Sequence, residues 1–260
     1  MEFEVPNEHK DLDPTVLEQM YKYATLTDAS YRNHQGETPD DLEKSLKEQG
    51  LDFDIDPQYT DSYSTTLVGD AEVVMSVRGS DFAEAEDVLA DLAILSGRSV
   101  LAAPERFTRE EQKFLSLRDK YPDKKLVLAG HSLAGTIIDV IGDKHDVERH
   151  MFNPGTSYPQ FAKATKDTAE CLLFGDCEPK RNLYTTGWSA GKVPADILSG
   201  LQFSPIQKKV GMQVIDVKAK QGDSSKHRLS NFLPKSGRKK AELKITSALG
   251  PDDICKIRPF

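Results

Sequence analysis

The sequence predicts an α/β fold in which a mostly parallel central sheet is flanked by helices. Short runs rich in β-branched residues alternate with helical segments over most of the chain. The segments between the first three of the four later runs are long enough for the crossover helices that parallel strands require. In addition, a strongly apolar strand pattern runs almost without a loop into an apolar helix pattern at residues 124–138.

The bulk properties fit one soluble globular domain over residues 1–260, with N-terminal helices in 1–50 and a basic C-terminal segment in 233–260. A chain of 260 residues can bury one sizeable core. The net charge of −8 argues against a general nucleic-acid binder, because phosphate contacts need a positive face. The basic C-terminal run is interpreted as a solvated tail or last strand, with a phosphate-contacting patch as the alternative.

No apolar run approaches the roughly 18 residues of a membrane span, so we expect no transmembrane segment. The N-terminus is acidic and interrupted by prolines, unlike a secretory signal. The three cysteines are an odd number and lack metal-ligand spacing, so Cys171 and Cys177 are interpreted as free thiols.

Two helices are predicted before residue 51. Asp13 and Pro14 form a typical helix start. The apolar face of this first helix is predicted to contain Leu17, Met20, Tyr21 and Ala24. Thr38 repeats the start signal, and Gly50 ends the second helix.

A β-hairpin is predicted next, from the β-rich runs 64–68 and 72–77. Residues 83–96 show a helical pattern. Thr108 and Glu111 form a capping box with Phe107 as staple, which predicts that a further helix starts there and runs to about Lys120. Four more strands are then predicted, at residues 126–129, 150–152, 182–186 and 212–217.

The most informative stretch is the strand-to-helix junction at residues 124–138, where Ser132 occupies the turn. A turn this sharp needs small residues two positions from the serine, and Gly130 and Ala134 meet that need. The geometry holds the serine Oγ at the carboxyl edge of the sheet. The N-terminus of the following helix, with the N–H of Leu133 first, can bind a developing oxyanion. Ser132 is therefore the candidate nucleophile of an α/β-hydrolase, and a tight structural turn is the alternative interpretation.

A serine nucleophile needs a base, and in α/β-hydrolases the order along the chain is Ser, acid, His. His227 follows the last strand through a polar loop and is the candidate base, against the alternative of a surface histidine. His145 and His150 are interpreted as residues of an exposed helix end. Asp196 is the candidate acid, with a helix cap as its alternative role. The fallback candidates for the acid are Asp176, Asp216 and Asp223.

These residues carry a resemblance to the class 3 (fungal-type) lipases, members of the α/β-hydrolase superfamily. Residues 130–135 resemble the family's Gly-His-Ser-Leu-Gly-Gly elbow, and Val77-Arg78-Gly79-Ser80 resembles its strand-ending Arg-Gly-Thr/Ser. Four further matches lie at 87–92, 151–155, 196–199 and 227–232, and all the motifs fall in family order. The resemblance implies that Ser80 supplies an oxyanion-hole donor beside Leu133 and that Asp196 and His227 complete the triad.

The chain departs from the family pattern at several points. Ala134 replaces a glycine, no proline follows Asp196, and residues 187–194 look inserted. The secretory signal and paired cysteines common in the fungal enzymes are not evident, so the expected location is the cytoplasm or a packaged particle.

The resemblance implies acyl transfer on lipid or small ester substrates through an acyl-enzyme, without a metal or organic cofactor. The apolar residues of 92–103 suit a mobile lid and a transient contact with a lipid interface, or else the buried face of a helix. Two other functions stay open: a catalytically inactive lipase-like module that binds lipid or protein, and a thioesterase or peptidase on the same fold.

Overall fold

The computed structural model describes residues 5–79, 104–154, 181–186, 212–217 and 229–234. Four α-helices lie in these ranges, α1 (Pro14–His34), α2 (Pro39–Glu48), α3 (Pro104–Lys120) and α4 (Leu133–His145). The strands are β1 (Asp54–Ile55), β2 (Ser64–Val68), β3 (Glu72–Val77), β4 (Lys125–His131), β5 (Glu148–Phe152), β6 (Arg181–Thr185) and β7 (Met212–Asp216). None of the helices in these ranges is long and apolar enough to cross a membrane.

The strands form one sheet in the order of the sequence, from β1 to β7. The first two pairs, β1 with β2 and β2 with β3, are antiparallel. From β3 onward every neighbouring pair is parallel. The predicted hairpin and the four predicted later strands are confirmed, with bounds within two residues, whereas β1 had no prediction. This arrangement confirms the predicted α/β fold with a mostly parallel sheet, and it fits an α/β-hydrolase fold.

Helices cover both faces of the sheet, because successive residues of a strand point to opposite sides. Val74 of β3 and Val127 of β4 pack in the cluster that contains the buried faces of α1 and α2. Their neighbours Met75 and Leu128 pack in a second cluster, against α3 and α4. Both middle strands are therefore buried on two sides, as their continuous apolar pattern predicts.

The starts of the first two helices are confirmed. The Asp13 carboxylate accepts hydrogen bonds from the N–H groups of Thr15 and Val16, at 2.9 and 3.3 Å. The Thr38 hydroxyl accepts one from Asp41 N–H. Gly50 has φ of +75° directly after the last turn of α2, which is the left-handed conformation that ends a helix.

The predicted start of α3 at Thr108 is wrong. The helix begins at Pro104, one turn earlier, so the Thr108–Glu111 pair lies inside it rather than at its cap. Proline has no N–H to lose and a φ already suited to a helix, so Pro104 is a favourable first residue. Three other predictions lie outside the described residues: the helix at 83–96, the lid at 92–103 and the two free thiols. The basic run after Pro234 lies outside them as well.

The interpretation of His145 and His150 as an exposed helix end is confirmed only in that His145 is the last residue of α4, since neither histidine is exposed. His145 is half-buried, and its Nε2 lies 2.7 Å from a Glu111 carboxylate oxygen of α3. His150 is completely buried in β5. Its Nδ1 lies 3.0 Å from the Tyr184 hydroxyl and its Nε2 2.8 Å from the Glu148 carboxylate, while the Tyr23 ring stacks on it at 3.6 Å. The sequence did not show that β5 begins two residues before His150.

Burial lowers the pKa of His150 although the neighbouring Glu148 opposes this. In the unfolded chain the imidazole has a pKa of about 6.5, so it becomes protonated at pH values at which the ring in the folded protein is still neutral. Folding stability is present above that pH and is lost as the pH falls through 6.5 toward the lowered value. We expect His150→Gln to flatten this acid-side loss, whose slope for one proton is at most about 1.4 kcal/mol per pH unit.

The measurement is urea unfolding of wild type and variant at several pH values between 8 and 5. His34→Gln, which removes a half-buried histidine at the end of α1, is the control for the loss of a histidine side chain as such. An unchanged slope in His150→Gln would show that the buried ring does not control this pH dependence.

Candidate active site

Ser132 forms the whole connection between β4 and α4. Its backbone has φ of +59° and ψ of −127°, a left-handed conformation that non-glycine residues rarely adopt. Its N–H donates to the carbonyl oxygen of Phe152 at 3.0 Å, which ties the turn to the end of β5. β4 is the fourth of the seven strands, so the serine lies at the carboxyl edge in the middle of the sheet. Strain of this kind, held in place by its surroundings, is common at functional sites.

The residues around the turn are small because there is no room for side chains. A Cβ on Gly130 would lie 3.0 Å from the Ala134 carbonyl carbon and 3.2 Å from its methyl group. A Cβ on Gly135 would lie 2.6 Å from the Pro154 Cβ. Ala134 itself is completely buried, so its methyl is accommodated and in turn requires glycine at position 130.

Helix α4 begins directly after the serine, so its N-terminus lies beside Ser132. Leu133 is the first helical residue, so its N–H belongs to the first turn, whose N–H groups have no acceptor within the helix. Its side chain is buried among the apolar residues under α4. The helix dipole adds a partial positive charge at the same place. This end of the helix can therefore stabilise a negative charge that develops near Ser132.

The end of β3 lies directly beside the serine. A Cβ on Gly79 would lie 2.7 Å from the His131 carbonyl oxygen and 3.1 Å from the Ser132 Cβ. Only glycine fits so close an approach. Gly79 is the last described residue before Ser80, so Ser80 itself lies outside the described residues.

Buried arginines hold this strand end in place. The Arg78 guanidinium donates to the Ser62 carbonyl at 2.6 Å and to the Gly79 carbonyl at 3.0 Å. Arg106 of α3 donates to the carbonyl of Arg78 at 2.5 Å. The two guanidinium groups lie 5.1 and 5.2 Å from the centre of the Tyr63 ring. The arginine of the Arg-Gly-Ser motif thus orients backbone next to the site.

Tyr31 of α1 also contacts the strand ends. Its hydroxyl accepts a hydrogen bond from Gly79 N–H at 2.8 Å and lies 2.8 Å from His131 Nδ1. Burial raises the pKa of the Tyr31 phenol although the Gly79 N–H bond opposes this, so the hydroxyl keeps its proton at neutral pH. The sequence analysis missed Tyr31. Its helical spacing from Ala24 is the one available signal, and that spacing indicates only a buried face.

The ends of β5 and β6 are joined by a second strained residue. Asn153 has φ of +42°, and its side-chain oxygen accepts a hydrogen bond from Thr186 N–H at 3.2 Å. Asn153 N–H in turn donates to the Tyr184 carbonyl at 2.9 Å. The two chain exits are therefore fixed relative to Ser132, since Phe152 accepts the serine N–H.

A short 3₁₀ helix, Leu229–Phe232, packs near the same edge of the sheet. The Phe232 ring lies 5.3 Å from the Phe152 ring between centroids, and both are completely buried. Phe152 is the register partner of His131, the residue before the serine. The segment that follows His227 by two residues is therefore fixed close to the Ser132 turn.

The described structure contains two of the five predicted site residues, Ser132 and Leu133, and places them next to each other. Ser80, Asp196 and His227 lie outside the described residues, so their roles stay predictions. Of the fallback acids, Asp216 is the last residue of β7, at the carboxyl edge opposite Thr185 of β6. Asp176 and Asp223 lie outside the described ranges. Within those ranges no group of three or more His, Cys, Asp or Glu side chains could hold a metal ion.

No protein-family model and no curated protein sequence matches the chain. The solved structures similar to it include two lipases. The Lip2 lipase from Yarrowia lipolytica shares 17% identity over 67% of this chain and 73% of its own, with a TM-score of 0.42. The lipase from Rhizopus microsporus var. chinensis shares 13% identity over 90% of this chain and 91% of its own, also with a TM-score of 0.42. Likenesses this distant assign neither a family nor an activity.

The strain at Ser132 can be measured apart from any catalysis. Glycine adopts φ of +59° without the Cβ clash, so we expect Ser132→Gly to be more stable than Ser132→Ala by about 1 kcal/mol. Both variants lack the hydroxyl, and their difference isolates the backbone. The measurement is urea unfolding of the two proteins side by side.

Ala134→Gly is the matched control, because position 134 is helical. There glycine should be less stable than alanine by about 1 kcal/mol, the opposite sign. A Ser132→Gly protein no more stable than Ser132→Ala would contradict the left-handed conformation of the turn.

Proposed function

We propose that this protein is a serine ester hydrolase, similar to lipases and phospholipases, with Ser132 as its nucleophile, His227 as base and Asp196 as acid. The observation that carries the proposal is the strained Ser132 turn at the carboxyl edge of the sheet, with the N-terminus of α4 directly behind it. A structural turn does not need a serine there, since glycine would remove the strain.

The proposed reaction is acyl transfer in two steps. His227 takes the hydroxyl proton of Ser132 while Oγ attacks the ester carbonyl, and the oxyanion binds the N–H groups of Leu133 and Ser80. The tetrahedral intermediate collapses, the alcohol leaves with the proton from the imidazolium, and an acyl-serine remains. Water, activated by the same imidazole, then releases the carboxylic acid.

The packing of residues 229–232 supports His227 as the base. Leu229 and Phe232 are buried against α1 and Phe152, and Phe152 accepts the Ser132 N–H. Leu229 is two residues from His227, which is at most about 7 Å of extended chain. This short separation along the chain is what supports His227 as the base.

The position of Gly79 supports the second oxyanion donor. Its two backbone polar groups are held by the Tyr31 hydroxyl and the Arg78 guanidinium, and it touches the Ser132 turn. Ser80 follows it directly in the chain. A rigid strand end next to the nucleophile is what preorganised charge stabilisation requires.

The preference for lipid esters rests on the sequence of residues 92–103. An apolar mobile segment there would cover the acyl chain and would open at a lipid interface. A transient contact with such an interface is therefore part of the proposal, together with a location in the cytoplasm or in a packaged particle.

We expect the wild-type protein to react with a fluorophosphonate probe and to hydrolyse a series of p-nitrophenyl esters. Ser132→Ala and His227→Ala should lose both reactions, with turnover falling by on the order of 10⁴-fold or more, because the nucleophile and its base act as a unit. The readouts are covalent labelling seen by mass spectrometry and steady-state turnover at several chain lengths.

The assay is run with and without lipid vesicles. His145→Ala, a substitution at the end of α4 away from Ser132, controls for the loss of a histidine as such. A folded wild type that stays unlabelled under both conditions would reject the proposed activity. Equal preference for esters of all chain lengths would reject the lipid preference alone.

The acid of the triad is tested separately, because Asp196 and Asp216 are two candidates at different places in the sequence. Asp196→Asn should lower kcat by on the order of 10⁴-fold and leave the protein folded, since the imidazole would hold the wrong tautomer. Asp216→Asn should keep near-wild-type turnover. The opposite result would assign the acid to the end of β7 instead.

A further inference from the structure

We infer that Tyr31 is a positioning residue for the proposed hydrolysis, because its hydroxyl fixes the end of β3 to the end of β4 on either side of Ser132. This inference rests on the proposed function and adds a residue from α1, outside the elbow and the triad. Tyr31 itself need not touch the substrate.

The hydroxyl joins two backbone segments that each lie one residue from a proposed reacting group. Gly79 N–H donates to the Tyr31 oxygen at 2.8 Å, and Gly79 precedes the proposed oxyanion donor Ser80. His131 Nδ1 lies 2.8 Å from the same oxygen, and His131 precedes the nucleophile. One atom of α1 thereby links the oxyanion side of the site to the nucleophile side.

The bonding capacity of a phenol suits this arrangement. The oxygen accepts the Gly79 N–H, and its second lone pair and its single proton allow it to bond to the imidazole nitrogen in either tautomer of His131. The rings of Tyr31 and His131 also meet edge-on, with centroids 5.9 Å apart. Phenylalanine would keep the ring but remove both hydrogen bonds.

The strand end has little freedom to compensate for a lost bond. A Cβ on Gly79 would lie 2.5 Å from the Tyr31 oxygen, so the backbone already touches the hydroxyl. Removal of the hydroxyl would leave a buried N–H without this acceptor and open a gap beside it. Relaxation of the strand end into that gap would move Gly79 relative to the Ser132 turn that it touches. Misplacement of reacting groups by about 1 Å can cost on the order of 100-fold in rate.

The experiment compares Tyr31→Phe with Tyr23→Phe in the full chain. Tyr23 is a matched control: it lies on the same helix, is buried, and donates its hydroxyl to the Glu72 carboxylate at 3.0 Å at the opposite end of β3. We expect Tyr31→Phe to lower kcat and the rate of fluorophosphonate labelling by about 10- to 100-fold, with KM within about twofold. Tyr23→Phe should stay within about twofold of wild type on all three.

The loss of kcat in Tyr31→Phe should be equal for short and long acyl esters, because the Tyr31 hydroxyl positions the reacting groups and not the acyl pocket. His131→Phe, which removes the imidazole that contacts the Tyr31 hydroxyl, should lower kcat as well. The double variant should lose no more than Tyr31→Phe alone, since both side chains act through one hydrogen-bonded unit.

The outcomes are distinguishable. Wild-type kcat in a folded Tyr31→Phe protein, beside an active wild type, would overturn the positioning role and leave the proposed function intact. An equal loss in Tyr23→Phe would overturn it too, by showing a general effect of stability. An unlabelled wild type would overturn the hydrolase proposal and the positioning role with it. If Tyr31→Phe does not fold, unchanged kcat in His131→Phe overturns the inference.

Discussion

The close approach of three chain segments around Ser132 is the constraint on which the rest of the structure depends. β4 must turn into α4 within one residue, with β3 on one side and the end of β5 on the other. Gly79 and Gly130 both lie where a Cβ would collide with the elbow, and Gly135 has no room beside Pro154. Because these contacts leave little room around the turn, the left-handed conformation of the serine is held in place by its neighbours.

Helix α1 bonds to both ends of strand β3. Tyr23 bonds to Glu72, where β3 begins, and Tyr31 bonds to Gly79, just after β3 ends. The two tyrosines are eight positions apart, which is a rise of about 12 Å along the helix. The same helix packs against Leu229 and Phe232, which follow the candidate base in the chain. A helix far from the elbow in sequence thus fixes three of the chain segments that meet at the candidate site.

The buried polar groups have two different parts in this fold. At the carboxyl edge, Arg78 and Tyr31 hold backbone atoms of Gly79, so their effect is on the geometry of the site. In the middle of β5, His150 lies between Glu148 and Tyr184 and under Tyr23. Burial disfavours the charged form of His150, so its effect is to make the stability of the fold depend on pH.

The sequence by itself determined the elements whose signals are local. The apolar strand, the serine and the apolar helix at residues 124–138 predicted the elbow, because a turn of one residue restricts the side chains within two positions of it. The caps at Asp13 and Thr38 and the hairpin at 64–77 were predicted for the same reason. The start of α3 was misplaced because two local signals compete there, and proline at position 104 prevails.

Only the tertiary structure decided which distant residues meet. Tyr31 and His131 are 100 residues apart, and no periodicity indicates that one hydroxyl would join β3 to β4. The burial of His150 and the packing of Phe232 on Phe152 likewise depend on which strands and helices become neighbours. Hydrogen bonds and ring contacts of this kind are set by the sheet order and by the position of α1 on it, and a linear pattern of side chains carries neither.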